Sequence, residues 1–157
     1  MEYKSERGDV DLPQLFADLV RSETRLYNAV NDRLRERHGI VTSQFESLRF
    51  LRAHPSARVA DLATEFAAGI GAISKGVDRL EKQGWVARQP NPSDRRSSLL
   101  TLTTAGAQLV AAAEETFVER LGELFAATPD VASPVVAQAL AVLRAALEHD
   151  RVGLPAG

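Results

Sequence analysis

Between Val59 and Thr103 the hydrophobic period changes from helical to extended within one short stretch. Val59, Leu62, Ala63 and Phe66 recur at helical spacing, a glycine-containing break follows, and Ile70, Ile73, Val77 and Leu80 resume the same period. Gly84 ends the second segment. Trp85-Val86-Ala87-Arg88 and Ser98-Leu99-Leu100-Thr101-Leu102-Thr103 are then β-prone runs, separated by Gln89-Pro90-Asn91-Pro92-Ser93-Asp94, a stretch dense in turn formers. Two short helices joined by a tight turn, followed by an antiparallel hairpin with a long polar tip, are the structures this pattern predicts.

Long helices are expected on both sides. Asp11-Leu12-Pro13 opens one, because proline is preorganised for a first helical turn, and Leu12, Leu15, Phe16, Leu19, Leu26, Tyr27, Val30 and Leu34 form a stripe that ends at Gly39. This predicts a helix over 12–38. Ser43-Gln44-Phe45-Glu46 reads as a capping box that starts a second helix, over 43–53, which Pro55 ends by disfavouring helical geometry at His54. After the hairpin, Thr103 or Thr104 caps a helix carrying Leu109, Ala113, Phe117, Leu121 and Leu124 to about residue 126. A last helix begins near Ser133-Pro134, and its stripe Val136, Leu140, Leu143, Leu147 has the spacing of one helix packing along another. The expected fold class is mainly α.

With 157 residues there is room for one core rather than two full domains. The chain contains no cysteine, which excludes disulfides, thiolate nucleophiles and zinc–thiolate sites. The opening Met1–Arg7 is polar and of mixed charge, and no apolar run reaches the ~18 residues of a spanning helix, so a cytoplasmic protein without a membrane partner is expected. Net charge is −2. Its distribution is informative, since residues 58–103 carry seven basic and five acidic side chains while residues 104–157 carry three and seven. The cationic part coincides with the helix–turn–helix–hairpin region.

That layout is a winged helix-turn-helix, in which the second helix lies in the DNA major groove and the hairpin follows the backbone. With Ile73, Val77 and Leu80 facing inward, Gly71, Ala72, Ser74, Lys75, Asp78 and Arg79 are left available outside. At the hairpin tip Asp94-Arg95-Arg96 projects two guanidinium groups suited to the negative potential of a minor groove, with Asp94 expected to orient one arginine.

Asp61-Leu62-Ala63, Ser74-Lys75-Gly76-Val77-Asp78-Arg79-Leu80-Glu81, Gly84-Trp85-Val86 and Asp94-Arg95-Arg96 running on to Leu102-Thr103 with Gly106 together make the chain resemble the MarR family of transcriptional regulators. Resemblance extends over about residues 12–150. It implies a winged helix-turn-helix DNA-binding region over 43–103, flanked by dimerisation helices over 12–38 and 104–150 that interlock in a homodimer. It also implies DNA contacts from Ser74, Lys75 and Arg79 in the helix and from Arg95 and Arg96 in the wing. The expected partner is a pseudo-palindromic double-stranded operator, and the expected role is a repressor released by a small phenolic or carboxylate effector bound between the two regions. Where many relatives carry serine or threonine, this chain reads Gly69-Ile70-Gly71-Ala72, which shifts readout toward backbone amides and shape. Without a cysteine, peroxide sensing through a thiol is excluded.

Other chemistries are poorly supported by the residues. Gly69-Ile70-Gly71-Ala72-Ile73-Ser74 falls short of a dinucleotide fingerprint at its sixth position and follows a helical pattern rather than a strand. His38, His54 and His149 are scattered without carboxylates at ligand spacing, and no serine is flanked as in a nucleophile elbow. No enzyme, metal or cofactor is expected, and no ligand-binding residue is assigned. Tyr27, Phe45 and Phe50 read as core aromatics in preference to a ligand pocket. The competing function is a winged-helix module for protein association, against which the Asp94-Arg95-Arg96 wing beside Lys75 and Arg79 argues.

Overall fold

The computed structural model describes residues 9–156, so the polar opening Met1–Arg7 lies outside it. Six helices and one two-stranded sheet follow in the order α1 (Leu12–His38), α2 (Thr42–Ala53), α3 (Val59–Glu65), α4 (Ile70–Lys82), β1 (Val86–Pro90), β2 (Ser98–Leu102), α5 (Thr104–Phe125) and α6 (Pro134–His149). The mainly α architecture is the expected one.

Local chemistry accounts for most boundaries. The Asp11 carboxylate accepts from the Gln14 amide at 3.0 Å, and Gly39 closes α1 in the left-handed region at φ 67°, returning its amide to the Arg35 carbonyl. The start of α2 departs from the capping box read in the sequence. Val41 is the N-cap, and the Gln44 side-chain oxygen accepts from its amide at 3.0 Å, so Ser43 lies inside the helix and Glu46 is freed from any capping duty. Glutamine at the third helical position competes directly with a serine-based start one residue later, and Thr42 gains a bond from its amide to Asn31 Oδ1.

The turn between α3 and α4 also differs in detail from expectation. Its left-handed residue is Ala67 at φ 47°, whereas Gly69 is extended and serves as the N-cap of α4. The Ala68 amide reaches the Ala63 carbonyl at 3.0 Å and tightens the turn. Ile70, grouped with the apolar stripe in the sequence, is 62 % exposed because it sits in the first turn, ahead of the contact with α3.

One core binds every element except α6. Val30 and Leu34 of α1, Phe45 and Leu48 of α2, Leu62, Val77, Leu80, Val86, Leu100, and Val110 and Ala113 of α5 are all buried together. Phe45 packs on Phe117 with ring centroids 4.9 Å apart. The sheet pairs Val86 with Leu102, Arg88 with Leu100 and Pro90 with Ser98. Leu100 additionally donates to the Ala57 carbonyl at 2.8 Å, so the segment before α3 adds a bridge to the hairpin that no sequence pattern announced. Thr103 caps α5 by accepting from Gly106 at 3.1 Å and donates to the Gly84 carbonyl at 2.6 Å. A Cβ at Gly106 would overlap the Trp85 carbonyl, so glycine there lets α5 start against the hairpin.

The outer stripes are left uncovered. Leu12, Leu15 and Phe16 of α1 are 67, 47 and 69 % exposed, and α6 buries no residue, with Leu140 and Leu143 near half exposed.

Candidate nucleic-acid interface and the adjoining cavity

The first turn of α4 carries Gly71 and Ala72, both exposed, so the backbone at this end can approach a surface closely. Val77 and Leu80 are 2 % exposed and anchor the opposite face. Lys75 and Arg79 project to solvent, while Ser74 is partly covered. Five positions carry the sequence expectation of direct DNA contact, Ser74, Lys75, Arg79, Arg95 and Arg96. The helix and the wing supply two exposed sets of them from one contiguous polypeptide.

The wing tip is rigidified by polar capping. Asn91 Oδ1 accepts from the Ser93 amide at 3.0 Å, and Asn91 Nδ2 donates to the Ser97 hydroxyl at 3.0 Å. The Asp94 carboxylate accepts from the Arg96 amide at 2.9 Å and from the Ser97 hydroxyl at 3.3 Å. Asp94 therefore holds the backbone of the tip, in place of the guanidinium that the sequence reading gave it. An aspartate two residues before an amide closes an Asx turn more readily than it reaches an adjacent extended arginine. Among the described residues Lys75, Arg79, Arg95 and Arg96 make no salt bridge, so their charges are not neutralised within the chain.

Two residues were not anticipated. Arg88 of β1, partly buried, lies 2.8 Å from Asp78 Oδ1 and 3.6 Å from Glu81, tying the wing to α4. Arg58 donates to Asp61 from its amide at 2.7 Å and from its guanidinium at 3.0 Å. Those bonds hold the Asp61 carboxyl below its ordinary value and fix the start of α3. Neither pairing is visible in a linear pattern, since Arg88 meets Asp78 only after the chain has turned at Gly84. The signal available was the alternation along β1, which puts Arg88 two residues from the buried Val86.

Ion pairs also fasten α5 to α1 and to α2. Arg33 grips Glu123 through two bonds of 3.2 and 3.1 Å, Arg37 meets Glu119 at 2.5 Å, and Glu114 receives Arg52 at 2.5 Å and Arg49 at 3.3 Å. Bonds from Arg33 and Arg120 hold the Glu123 carboxyl below its ordinary value. His38 shares a 2.8 Å bond with the Thr116 hydroxyl, and the described residues contain no group of histidine and acidic side chains placed to hold a metal ion.

Beside this region lies a cavity of about 1200 Å³ between α1, α5 and α6, floored by the start of α2. Phe45 and Phe50 stand apart from it, Phe45 fully buried and Phe50 stacked on His54 at 4.2 Å, as core residues. Tyr27 is the exception among the three aromatics, because it lines the cavity. Burial and the nearby Glu46 carboxylate push its phenol up.

Comparison with known proteins gives this geometry a context. The family model described as the MarR family matches residues 40–98, which span the start of α2 to the start of β2. The chain is 31 % identical over 101 residues to the multiple antibiotic resistance protein MarR of Salmonella typhimurium, covering 60 % of this chain and 70 % of that protein. It is 37 % identical over 70 residues to the Escherichia coli protein of the same name, covering 45 % of this chain and 49 % of that one, so this match spans about half of the relative's length. A crystal structure of a MarR variant from E. coli complexed with operator DNA superimposes with a TM-score of 0.70 at 27 % identity, over 88 % of this chain and 99 % of that one. No described helix is long and apolar enough to cross a membrane. The matched winged region, the capped wing and the flanking long helices agree with one another, and the chain belongs to the MarR family of transcriptional regulators.

Proposed function

We propose that this protein is a cytoplasmic, dimeric, DNA-binding repressor without enzymatic activity, released from its operator by a small molecule. In this reading residues 43–103 form the DNA-binding region, and 12–38 with 104–150 the dimerisation helices. The observation that carries it is the pairing of two exposed, unneutralised cationic sets, Lys75 and Arg79 on α4 and Arg95 and Arg96 on the capped wing. Unpaired guanidinium and ammonium groups on a helix and a neighbouring hairpin suit phosphates and a minor groove, and a protein-association surface has no use for both. Gly71 and Ala72 favour close backbone approach, and Ser74 adds one hydroxyl. That a MarR variant from E. coli was crystallised with operator DNA supports DNA as the partner.

The exposed apolar stripes of α1 and α6 support a two-fold dimer. Such a dimer presents its recognition helices about one helical turn of DNA apart, roughly 34–36 Å, which matches a pseudo-palindromic site. A ligand in the cavity beside α1, α5 and α6 would bear on the dimer helices and on the start of α2 together. It would act by binding better to a dimer whose helices miss the half-site spacing.

The test is titration of the full chain against the duplex upstream of its own gene. Expected is tight binding that falls ~10³-fold or more between about 50 and 200 mM salt and is lost when one half-site is scrambled. Equal affinity for the scrambled duplex, or no salt dependence, would overturn the assignment.

A further inference from the structure

Large hydrophobic side chains that the described residues leave exposed lie, with one exception, on α1, α5, α6 or the segments beside them, where the stripes attributed to the dimer run. The exception is Ile70, 62 % exposed at the first position of α4. Ile73, Val77 and Leu80 already pack α4 against the core, so that contact is made without Ile70. Around it the turn is bare. Gly69, Gly71 and Ala72 offer no hydrogen-bonding side chain, and the first ones along the helix are Ser74 and Lys75. A Cβ at Gly71 would meet open space, and its φ lies outside the left-handed range, so nothing within the chain calls for glycine there. Its missing side chain lets the backbone beside Ile70 come close to an external surface.

A single exposed isoleucine on an arbitrary surface carries no message. Position gives this one its meaning, because the N-terminal residues of a helix laid in a major groove are those that meet base edges. On those edges the C5 methyl of thymine is the one apolar group, and the other positions are hydrogen-bond donors and acceptors. An isoleucine set against the edge of guanine, adenine or cytosine would shut water away from those groups and leave them unpaired. Set against a thymine methyl, it buries apolar surface on both sides. We propose that Ile70 is a specificity-determining residue that packs on a thymine methyl in each half-site, so that this part of the operator is read by apolar contact and not by a hydrogen-bonding side chain. This rests on the reading of α4 as the helix that enters the major groove.

Deoxyuridine tests the proposal, because it pairs as thymidine does and lacks only the methyl. Each thymine of the duplex upstream of the gene is replaced in turn, at the equivalent position of both half-sites, and binding of the full chain is followed by fluorescence anisotropy. One position is expected at which the native chain loses about fourfold in affinity per half-site, the effect of one buried methyl group. Ile70→Ala should bind the thymine duplex more weakly by at least that factor and be indifferent to deoxyuridine at the same position. Its salt slope and far-ultraviolet circular dichroism should equal those of the native chain, since no charge and no core contact is lost. Absence of any methyl-sensitive position, or a methyl effect as large in Ile70→Ala as in the native chain, overturns the assignment. Binding that depends on salt and on both half-sites but not on a methyl removes Ile70 as a reader and leaves the DNA-binding role standing. Failure to bind the duplex at all removes both, so the two failures are told apart.

Discussion

Arg88 of strand β1 bonds Asp78 of helix α4 at 2.8 Å, with Glu81 a further partner at 3.6 Å, so the hairpin and α4 are joined by a charge pair at their shared base. Without the guanidinium, Asp78 would stand as a free carboxylate on the exposed side of α4, beside Lys75 and Arg79. Arg88→Met is expected to weaken operator binding by about tenfold, roughly 1.4 kcal/mol, and Arg88→Met with Asp78→Asn to recover most of it. Fluorescence anisotropy on the same duplex measures both. A double variant no better than the single one would show that Arg88 contacts DNA itself.

The wing arginines should act on DNA alone. Arg96→Ala and Arg95→Ala are each expected to cost about 1–3 kcal/mol of operator affinity where the contact is well placed, and each lost phosphate contact lowers the salt slope by about 1. Dimer mass and helical content stay unchanged. Arg96 is expected to matter more than Arg95, because the Asp94 carboxylate fixes the Arg96 amide. Asp94→Ala removes that fixation and should weaken binding less than Arg96→Ala. Unchanged affinity and slope in the double alanine variant would remove the wing from the interface.

Leu140 and Leu143 are 48 and 47 % exposed in one chain, on a helix that buries nothing of its own. Leu140→Asp with Leu143→Asp should split the dimer or unfold the chain, since unpaired carboxylates in a buried apolar seam cost several kcal/mol. Sedimentation velocity at micromolar concentration gives the readout. A native chain that sediments as a stable folded monomer would contradict the dimer.

Ala67 holds the left-handed conformation at φ 47° in the turn between α3 and α4, a region costly to residues with a Cβ. Ala67→Gly is expected to leave stability unchanged or raise it by up to about 1 kcal/mol, despite the entropy that glycine adds to the unfolded chain. Urea unfolding decides the sign. A loss above about 1 kcal/mol would mean that the Ala67 methyl makes packing contacts which outweigh the strain.

Acid should loosen the clamp between α1 and α5. Glu123 is held below its ordinary value by bonds from Arg33 and Arg120, so its contribution is present above the unfolded value and is lost as pH falls through the depressed folded one. Stability of the native chain should therefore fall more steeply below about pH 5 than that of Glu123→Gln, which lacks the titration. Parallel slopes for the two proteins, followed by thermal unfolding from pH 6 to pH 3, would show that the clamp contributes nothing.

Helix α1 was legible from Leu12 to His38 and the hairpin nearly so, because a proline start, a glycine stop and a turn-dense tip act through bonds within a few residues. The start of α2 departs from its pattern for a local reason too, because the Gln44 side chain accepts from the Val41 amide and the helix begins ahead of Ser43. The cationic residues of α4 and the wing were readable as residue types, since exposure of Lys75 and Arg79 follows from the burial of Val77 and Leu80 at helical spacing. What no pattern in the chain could supply were the partners brought together by folding. Arg88 finds Asp78, Ala57 bridges Leu100, and Tyr27 of α1 comes to share a cavity wall with Thr42 and Glu46 of α2. Periodicity reports which side of an element is apolar. The identity of the side chain opposite depends on how helices cross and how the hairpin docks, and those are set by core packing across elements distant in the chain.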